Sequence, residues 1–312
     1  MPDLPTFSAQ TRLLVVVPHP DDETIATGIL IQQVRAAGGT VRILLLTAGD
    51  NNPWPQRWVE RRLRIGSEER QSWGLRRHAE ILAAMGRLDV PLGALQTLGW
   101  PDMGLTEYLM QPAHHAVAAL AEVIEGFAPS LVVMPSLADR HPDHGAAHVM
   151  VRLAVSASSC QPPLLAYLVH GRTQDVRYVE ISGSIMQQAN KQSALQEHRT
   201  QMVLSGDRLR RWAARPERYF DVSPVPSASA SASTRVLPWH PAAWMRPMLK
   251  LSLVSANGAG SWRWSEAPLQ RASDGSFHLA AEAVAADLPL FAKLAWDMHT
   301  FWIFDYWGWC EL

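Results

Sequence analysis

The feature that most constrains the fold is an apolar run at residues 13–17 that ends at a His-Pro step and opens into a helical pattern over residues 24–37. A β-branched run of this length predicts a buried strand, and the periodicity after it predicts a helix. Loops at the carboxyl ends of strands hold ligands in open α/β sheets. We therefore expect a ligand site directly after the first strand.

The loop after this strand reads His-Pro-Asp-Asp-Glu over residues 19–23. It contains no glycine, so it lacks the glycine-rich turn that cradles phosphates. His19 and Asp22, three positions apart around a tight turn, can both bind one divalent cation. Asp21 would then remain beside the metal as a base. Such an arrangement is typical of metal hydrolases.

A second acidic turn with histidines follows another buried-strand run at residues 131–134. It reads Asp-Arg-His-Pro-Asp-His over residues 139–144 and again opens into a helical pattern. Its two histidines and its acid can supply a third metal ligand and a partner that orients a ligand. Strands 1 and 4 are neighbours in a doubly wound sheet of order 3-2-1-4-5, so the two turns are expected to face each other.

Capping is the structural alternative for each turn, since Asp and His turns before helices commonly satisfy only the helix ends. One such turn alone would favour capping. Two turns at predicted strand ends, each pairing imidazole with carboxylate, favour a site instead.

Composition limits the function classes. The formal net charge of −1 argues against a polycationic protein that binds nucleic acid. Cys160 and Cys310 are the only cysteines and lie far apart, which indicates neither a disulfide framework nor a thiolate zinc site. The first apolar run is too short for a signal peptide or a membrane span. We expect a cytoplasmic protein without a membrane span; its oligomeric state stays open.

The paired motifs resemble those of the zinc-dependent N-deacetylases of the PIG-L/LmbE family. Further matching stretches occur in the family order at residues 75–80, 98–102 and 167–171, and on a later helix with Lys191 and His198. The resemblance covers residues 11–222. It implies an enzyme that removes an acetyl group from an N-acetylglucosamine-type substrate, with Zn²⁺, Fe²⁺ or another divalent metal as cofactor.

The predicted domains follow from alternating strands and helices up to residue 222. Residues 1–222 are expected to form the PIG-L/LmbE-like domain, an α/β, Rossmann-like, doubly wound and mostly parallel sheet with helices on both faces. Residues 223–234 are rich in Pro, Ser and Ala and predict a linker or exposed loop. Residues 235–312 predict a small β-rich region, with strands at residues 249–254, 261–264 and 300–306.

Eight of the thirteen tryptophans lie in the region 235–312. They could stack on sugar rings, but a domain this small needs large side chains to close its core. We expect a mainly structural role for them.

The resemblance also implies roles for individual residues. Two imidazoles and one carboxylate would bind the metal and leave a position for water, Asp21 would act as base, and His141 would stabilise the oxyanion and protonate the departing amine. Some relatives carry a tyrosine where this chain has Asp139. The expected ligands are His19, Asp22 and His144; Asp143 is expected to orient His141; Arg77 and Asp102 are expected to contact substrate.

Two assignments have local alternatives. Arg77 can instead form a helical ion pair with Glu80. The long segment 47–66, which carries Trp54 and Trp58, either covers the site or forms a partly helical surface connection.

Three functions compete on this evidence. The first is an N-deacetylase acting on an N-acetylated amino sugar in a small glycoside, glycolipid, antibiotic or saccharide intermediate. The second is a zinc amidase acting on a thiol-conjugate or another amide, which acetate release would separate from the first. The third is a noncatalytic carbohydrate-binding protein, which the metal-type and base-type residues argue against. A small molecule, rather than nucleic acid, is the expected partner.

Overall fold

The chain divides into two compact units. The predicted linker, residues 223–234, lies outside the described residues. The computed structural model describes residues 6–112, 115–171, 177–222, 235–280, 289–298 and 303–312. Unit 1 comprises residues 1–105, 127–136 and 162–222, and unit 2 comprises residues 106–126, 137–161 and 223–312.

A seven-stranded sheet forms the centre of unit 1, in the order β3-β2-β1-β4-β5-β7-β6. The first five strands of that order are parallel, and β7 is antiparallel to both of its neighbours. This confirms the predicted α/β fold with a mostly parallel sheet. The strands are β1 (Arg12–Val17), β2 (Thr40–Thr47), β3 (Leu95–Trp100), β4 (Leu131–Pro135), β5 (Leu164–Tyr167), β6 (Val179–Ile181) and β7 (Glu217–Asp221).

Strand β1 lies between β2 and β4 and is parallel to both. Its residue Leu13 pairs with Val41 on one side and with Leu131 on the other. Parallel strands end at the same edge of a sheet. The chain therefore leaves β1 after Val17 and β4 after Pro135 at adjacent positions of the carboxyl edge.

The helices alternate with these strands along the chain. In unit 1, residues from α1, α3, α7 and α8 form one apolar core with alternate residues of the strands, such as Val15, Ile43 and Val133. No helix in the described ranges combines the length and the apolar character that a membrane crossing needs. The helices are α1 (Asp22–Ala36), α2 (Pro53–Glu60), α3 (Ser67–Arg87), α4 (Leu105–Leu109), α5 (His115–Phe127), α6 (Pro142–Ala157), α7 (Ile185–Glu197) and α8 (Arg199–Ala213).

A buried ion pair holds α1 and α7 to the end of the sheet. Lys191 is fully buried and donates to a carboxylate oxygen of Glu217 at 2.6 Å. The same carboxylate accepts the backbone N–H groups of Ile29 and Leu30, at 2.7 and 3.0 Å, and the hydroxyl of Tyr219, at 2.7 Å. One acidic side chain thus links three elements inside unit 1.

We expect Lys191→Met to lower the free energy of unfolding by about 3–5 kcal/mol, because removing one partner leaves a buried charge without its counter-ion. Urea unfolding followed by circular dichroism would measure the loss. Lys250→Met, the same change at a half-buried lysine of β8 (Leu249–Ser255), is the control. A loss for Lys191→Met no larger than that of the control would contradict this account of the pair.

Unit 2 contains the β-rich region that the sequence predicted. Strands β13, β12, β8 and β9 form a four-stranded sheet in that order, with antiparallel neighbours. Strands β10 and β11 form a separate antiparallel pair. The remaining strands are β9 (Gly258–Arg263), β10 (Leu269–Arg271), β11 (Phe277–Leu279), β12 (Phe291–Trp296) and β13 (Gly308–Glu311).

The described tryptophans of this region lie mostly in or against its core. Trp239, Trp264 and Trp309 are buried, whereas Trp244 is 71% exposed. The edge of the Trp264 ring packs against Phe277 with the ring centroids 4.9 Å apart. Burial of large rings is what a small domain needs to close, as the sequence indicated.

The last strand of unit 2 packs on helix α6. Arg152 of α6 forms a bidentate pair with Glu311, at 2.9 and 2.8 Å. Trp309 lies so close to Gly145 that a Cβ atom added to this glycine would come within 2.9 Å of the ring. The last strand is therefore fixed to α6, the helix that starts in the second motif, near Gly145 and at Arg152.

The predicted strand at residues 300–306 is wrong where it can be checked. Residues 303–306 are not in a strand, and residues 299–302 lie outside the described part of the chain. The backbone N–H of Asp305 donates to the carbonyl of Arg140 at 2.8 Å, and its carboxylate pairs with the buried Lys293. Asp305 therefore makes its hydrogen bonds with a loop residue and a side chain, and not with the backbone of a neighbouring strand.

Candidate active site

The first motif places the ring of His19 between two carboxylates. Its Nδ1 lies 3.5 Å from an oxygen of Asp22, and its Nε2 lies 3.2 Å from an oxygen of Asp102. The backbone N–H of His19 also donates to Asp22 at 3.0 Å, which closes the tight turn after β1. Three side chains of metal-ligand type thus lie together in unit 1, all of them buried.

Asp102 joins the loops that follow β2 and β3. Its carboxylate accepts the backbone N–H of Asn51 at 2.6 Å in addition to the contact with His19. Burial raises the pKa of Asp102, but the hydrogen bond and charge of His19 and the hydrogen bond from Asn51 outweigh it and hold this pKa below its ordinary value. Asp102 is therefore an anion; its contact with substrate stays a prediction.

Asp21 has a backbone conformation that residues other than glycine rarely adopt, with φ 124° and ψ −26°. Such strain persists only where the surroundings enforce it, and it occurs often at active sites. The backbone N–H of Asp21 donates to Glu23 at 2.9 Å, and its carboxylate lies 3.5 Å from the guanidinium of Arg77. These two contacts fix the position of the proposed base.

Burial raises the pKa of Asp21 to about 6, against the opposing charge of Arg77 and with the help of the neighbouring Asp22 carboxylate. A divalent cation bound close by would lower this pKa again. At a pKa of about 6 or below, the carboxylate is mostly ionised at neutral pH and can accept a proton there.

Arg77 of α3 is buried and holds the loop of the first motif in place. Its guanidinium donates to the backbone carbonyls of Pro20 and Gly49. Gly49 has φ +61°, and any Cβ atom there would collide with the guanidinium. The alternative pairing partner, Glu80, instead accepts the backbone N–H and hydroxyl of Thr200, at 2.9 and 2.6 Å. Substrate contact by Arg77 stays a prediction.

Glu23 takes part in a buried pair that sequence reasoning missed. It lies 2.8 Å from Nε2 of His198, and it also accepts the hydroxyl of Thr24 at 2.6 Å. Burial raises the pKa of Glu23, but the charge and hydrogen bond of His198 outweigh burial, so this pKa lies below its ordinary value. For His198, burial lowers the pKa, but the charge and hydrogen bond of Glu23 outweigh burial, so this pKa lies above its ordinary value. As an acidic residue in the first turn of α1, Glu23 also favours the helix dipole. His198 belongs to the stretch that resembles the family, but its acidic partner is 175 residues away.

His170 is a second residue of unit 1 for which the sequence gave no role. A ring nitrogen of His170 and a carboxylate oxygen of Asp22 lie within 4.8 Å of each other. The His170 ring also packs edge-on against Trp212, with centroids 5.6 Å apart. His170 lies in the stretch 167–171 that resembles the family. That resemblance was the sequence feature that could have indicated a role for it.

The second motif, in unit 2, is organised by Asp139. One oxygen of Asp139 accepts the backbone N–H of His141 at 2.9 Å, and the other lies 3.1 Å from Nδ1 of His144. A carboxylate that accepts Nδ1–H fixes the imidazole in the tautomer whose Nε2 carries a lone pair. Asp139 therefore leaves Nε2 of His144 with the lone pair that its predicted metal-ligand role requires. The sequence gave no such role to Asp139, which stands where some relatives carry a tyrosine.

His141 caps the N-terminus of α6 and lies close to His144. Its Nδ1 accepts the backbone N–H of Asp143 at 3.3 Å, and the two imidazole centroids are 5.1 Å apart. The sequence predicted that Asp143 orients His141; the contact seen uses the backbone of Asp143. The ring of Phe304, from the C-terminal region, packs edge-on against His141 at 6.3 Å.

Residues 14–155 match the PIG-L family, described as GlcNAc-PI de-N-acetylase. The chain carries a PIG-L domain. The matched range includes both motifs, together with Arg77 and Asp102. His170 and His198 lie beyond it. His198 pairs with Glu23 of the first motif, and a ring nitrogen of His170 lies within 4.8 Å of a carboxylate oxygen of Asp22.

The chain is similar to the 1D-myo-inositol 2-acetamido-2-deoxy-α-D-glucopyranoside deacetylase of Mycolicibacterium vanbaalenii. The two are 32% identical over 177 residues, which is 51% of this chain and 59% of the relative. A protein with the same description from Mycobacterium sp. strain KMS is 31% identical over 179 residues. The chain spans 56% of that second relative, so it covers less than two thirds of either protein.

Solved structures share the fold of the PIG-L domain. A deacetylase of the teicoplanin biosynthetic pathway superposes with a TM-score of 0.55 at 20% identity, covering 70% of this chain and 100% of the other. The N,N'-diacetylchitobiose deacetylase of Pyrococcus horikoshii gives a TM-score of 0.53 at 18% identity, covering 69% and 84%. At these identities the likeness establishes the α/β fold alone.

Proposed function

We propose that this chain is a metal-dependent N-deacetylase that removes the acetyl group from an N-acetylated amino sugar of the N-acetylglucosamine type. The observation that carries the proposal is the pair of His/Asp motifs that begin at the ends of the adjacent parallel strands β1 and β4. The related proteins are named as deacetylases of N-acetylated sugars or glycosides, which supports an N-acetylated amino sugar as the substrate class. The proposal assigns the chemistry to residues 1–222.

The proposed metal ligands are His19, Asp22 and His144. Two imidazoles and one carboxylate form a donor set that catalytic zinc uses, and Fe²⁺ or another divalent ion also accepts it. The contact between Asp139 and Nδ1 of His144 supports this choice, because it leaves Nε2 as the donor atom. A bound metal of this kind supplies Lewis-acid activation of a carbonyl and of water.

The protein side chains would move the protons. Asp21, held by Arg77 and Glu23, accepts the proton of the attacking water. His141, held by the N–H of Asp143, donates a proton to the departing amine and stabilises the oxyanion.

Substrate contact by Arg77 and Asp102 remains part of the proposal. The Arg77 guanidinium lies 3.5 Å from Asp21, and the Asp102 carboxylate lies 3.2 Å from His19. Both distances support a location next to the reacting atoms. A carboxylate such as Asp102 can accept hydrogen bonds from sugar hydroxyls.

An acetate-release screen tests the proposal. The purified, zinc-loaded chain would be incubated with N-acetylglucosamine glycosides, N-acetylglucosaminyl-inositol, N,N'-diacetylchitobiose and an N-acylated thiol-conjugate. We expect acetate, and a free amine in equal amount, from at least one of the sugars. Hydrolysis of the thiol-conjugate alone would favour an amidase, and no hydrolysis of any compound would contradict the proposed function.

A further inference from the structure

Helix α2 and the loop after it expose large apolar side chains. Trp54 is 62% exposed, Trp58 is 69% exposed and Leu63 is 88% exposed. Trp54 and Trp58 are four residues apart on one helix and therefore lie on the same face. Side chains of this size are usually buried. A cluster of them at the surface usually marks an interaction site.

The opposite face of α2 explains why the tryptophans remain outside. Pro55 and Gln56 are its buried residues. The Gln56 amide donates to the backbone carbonyl of Glu69 on α3 at 2.7 Å and to Glu60 at 3.1 Å. The helix is thus anchored to unit 1 by one face and presents the tryptophans on another.

Arginines lie in the same segment as the exposed tryptophans. Residues 53–66 contain four arginines and one glutamate. The guanidinium of Arg57 lies 5.2 Å from the centre of the Trp54 ring, and Arg61, Arg62 and Arg64 are exposed. Only Arg62 has a described salt bridge within unit 1, to Glu69 at 2.7 Å. The surface formed by residues 53–66, here termed the Trp–Arg surface, is therefore both apolar and cationic.

We propose that the Trp–Arg surface docks the protein on an anionic lipid surface. Tryptophan rings favour the interface between lipid and water, and arginines near a membrane gain electrostatic attraction to anionic headgroups. A second copy of the chain is a poorer partner, because paired copies of this surface would bring like charges together. A free small anion would not bury the tryptophans.

The position of this surface gives the docking a function. The N–H of Asn51, two residues before α2, is bonded to Asp102, which contacts His19 of the first motif. Docking through α2 would therefore hold the first motif close to a lipid surface. The inference does not depend on which acetylated compound the protein hydrolyses.

Vesicle cosedimentation with the full chain tests the proposal. The probes are vesicles of phosphatidylcholine, alone or with phosphatidylglycerol. We expect binding to the anionic vesicles only, weakening as NaCl is raised. The double variant Trp54→Ala/Trp58→Ala and the double variant Arg61→Glu/Arg64→Glu should each bind at least about tenfold more weakly. Trp244→Ala, equally exposed but in unit 2, and Arg271→Glu are the matched controls and should bind normally.

Three outcomes would overturn the proposal. The first is no binding of the wild-type chain to anionic vesicles, and the second is an equal loss in the control variants. The third is self-association that Trp54→Ala/Trp58→Ala abolishes without any vesicle binding, which would assign the surface to a second copy. Acetate release from a water-soluble sugar should be unchanged in the tryptophan variant, so failure of the docking proposal is distinguishable from failure of the proposed function.

Discussion

Asp21→Asn is expected to lower acetate release by about 10²–10⁴-fold, the usual size of one general base, while the bound metal is retained. The amide keeps the size of the side chain but cannot accept the proton of the attacking water. The strained backbone at φ 124° is held by Glu23 through a backbone N–H, which the substitution leaves in place. The loop should therefore keep its conformation.

The measurement is kcat for acetate release together with metal content of the same sample. Asp50→Asn is the control, since it is the same change at another partly buried aspartate of unit 1, near Asp102. It should retain activity within a few fold. Near-normal turnover in Asp21→Asn, with metal bound, would assign the base to another residue.

His144→Ala is expected to abolish tight metal binding and, with it, acetate release. The fully buried imidazole is oriented by Asp139 at 3.1 Å, and alanine removes both the donor atom and this pairing. Zinc content after dialysis against a weak chelator would measure the loss. A variant with full metal occupancy would remove His144 from the ligand set.

His148→Ala provides the matched control for this variant. His148 lies one turn further along α6, is also buried, and packs edge-on against Phe291. It should keep its metal, because nothing in the proposal gives it a donor role. Equal metal loss in both variants would indicate damage to α6 rather than loss of a ligand.

The motifs and the parallel sheet could be predicted because their signals are local. A run such as residues 13–17 predicts its own strand, and the His-Pro-Asp-Asp turn after it carries its chemistry within four residues. The adjacency of β1 and β4 then follows from the connectivity rules of doubly wound sheets.

The supporting contacts could not be predicted, because they join positions far apart in the chain. Glu23 pairs with His198 across 175 residues of the chain, and Arg77 donates to the carbonyl of Pro20 across 57 residues. Asp139 and His144 are close in sequence, but their contact depends on the conformation of the turn before α6. The strand predicted at residues 300–306 failed for a related reason, since Asp305 is bonded to Arg140 of a distant loop.

The central claim, that the chain uses one bound divalent metal to release acetate, is tested most directly by chelation and metal restoration on the wild-type chain. We expect about one metal ion per chain after loading with zinc, loss of acetate release on removal of the metal by a strong chelator, and recovery on adding back one equivalent. The Asp21→Asn variant should bind the restored metal without recovering. Undiminished acetate release from chain shown to be metal-free would contradict the account.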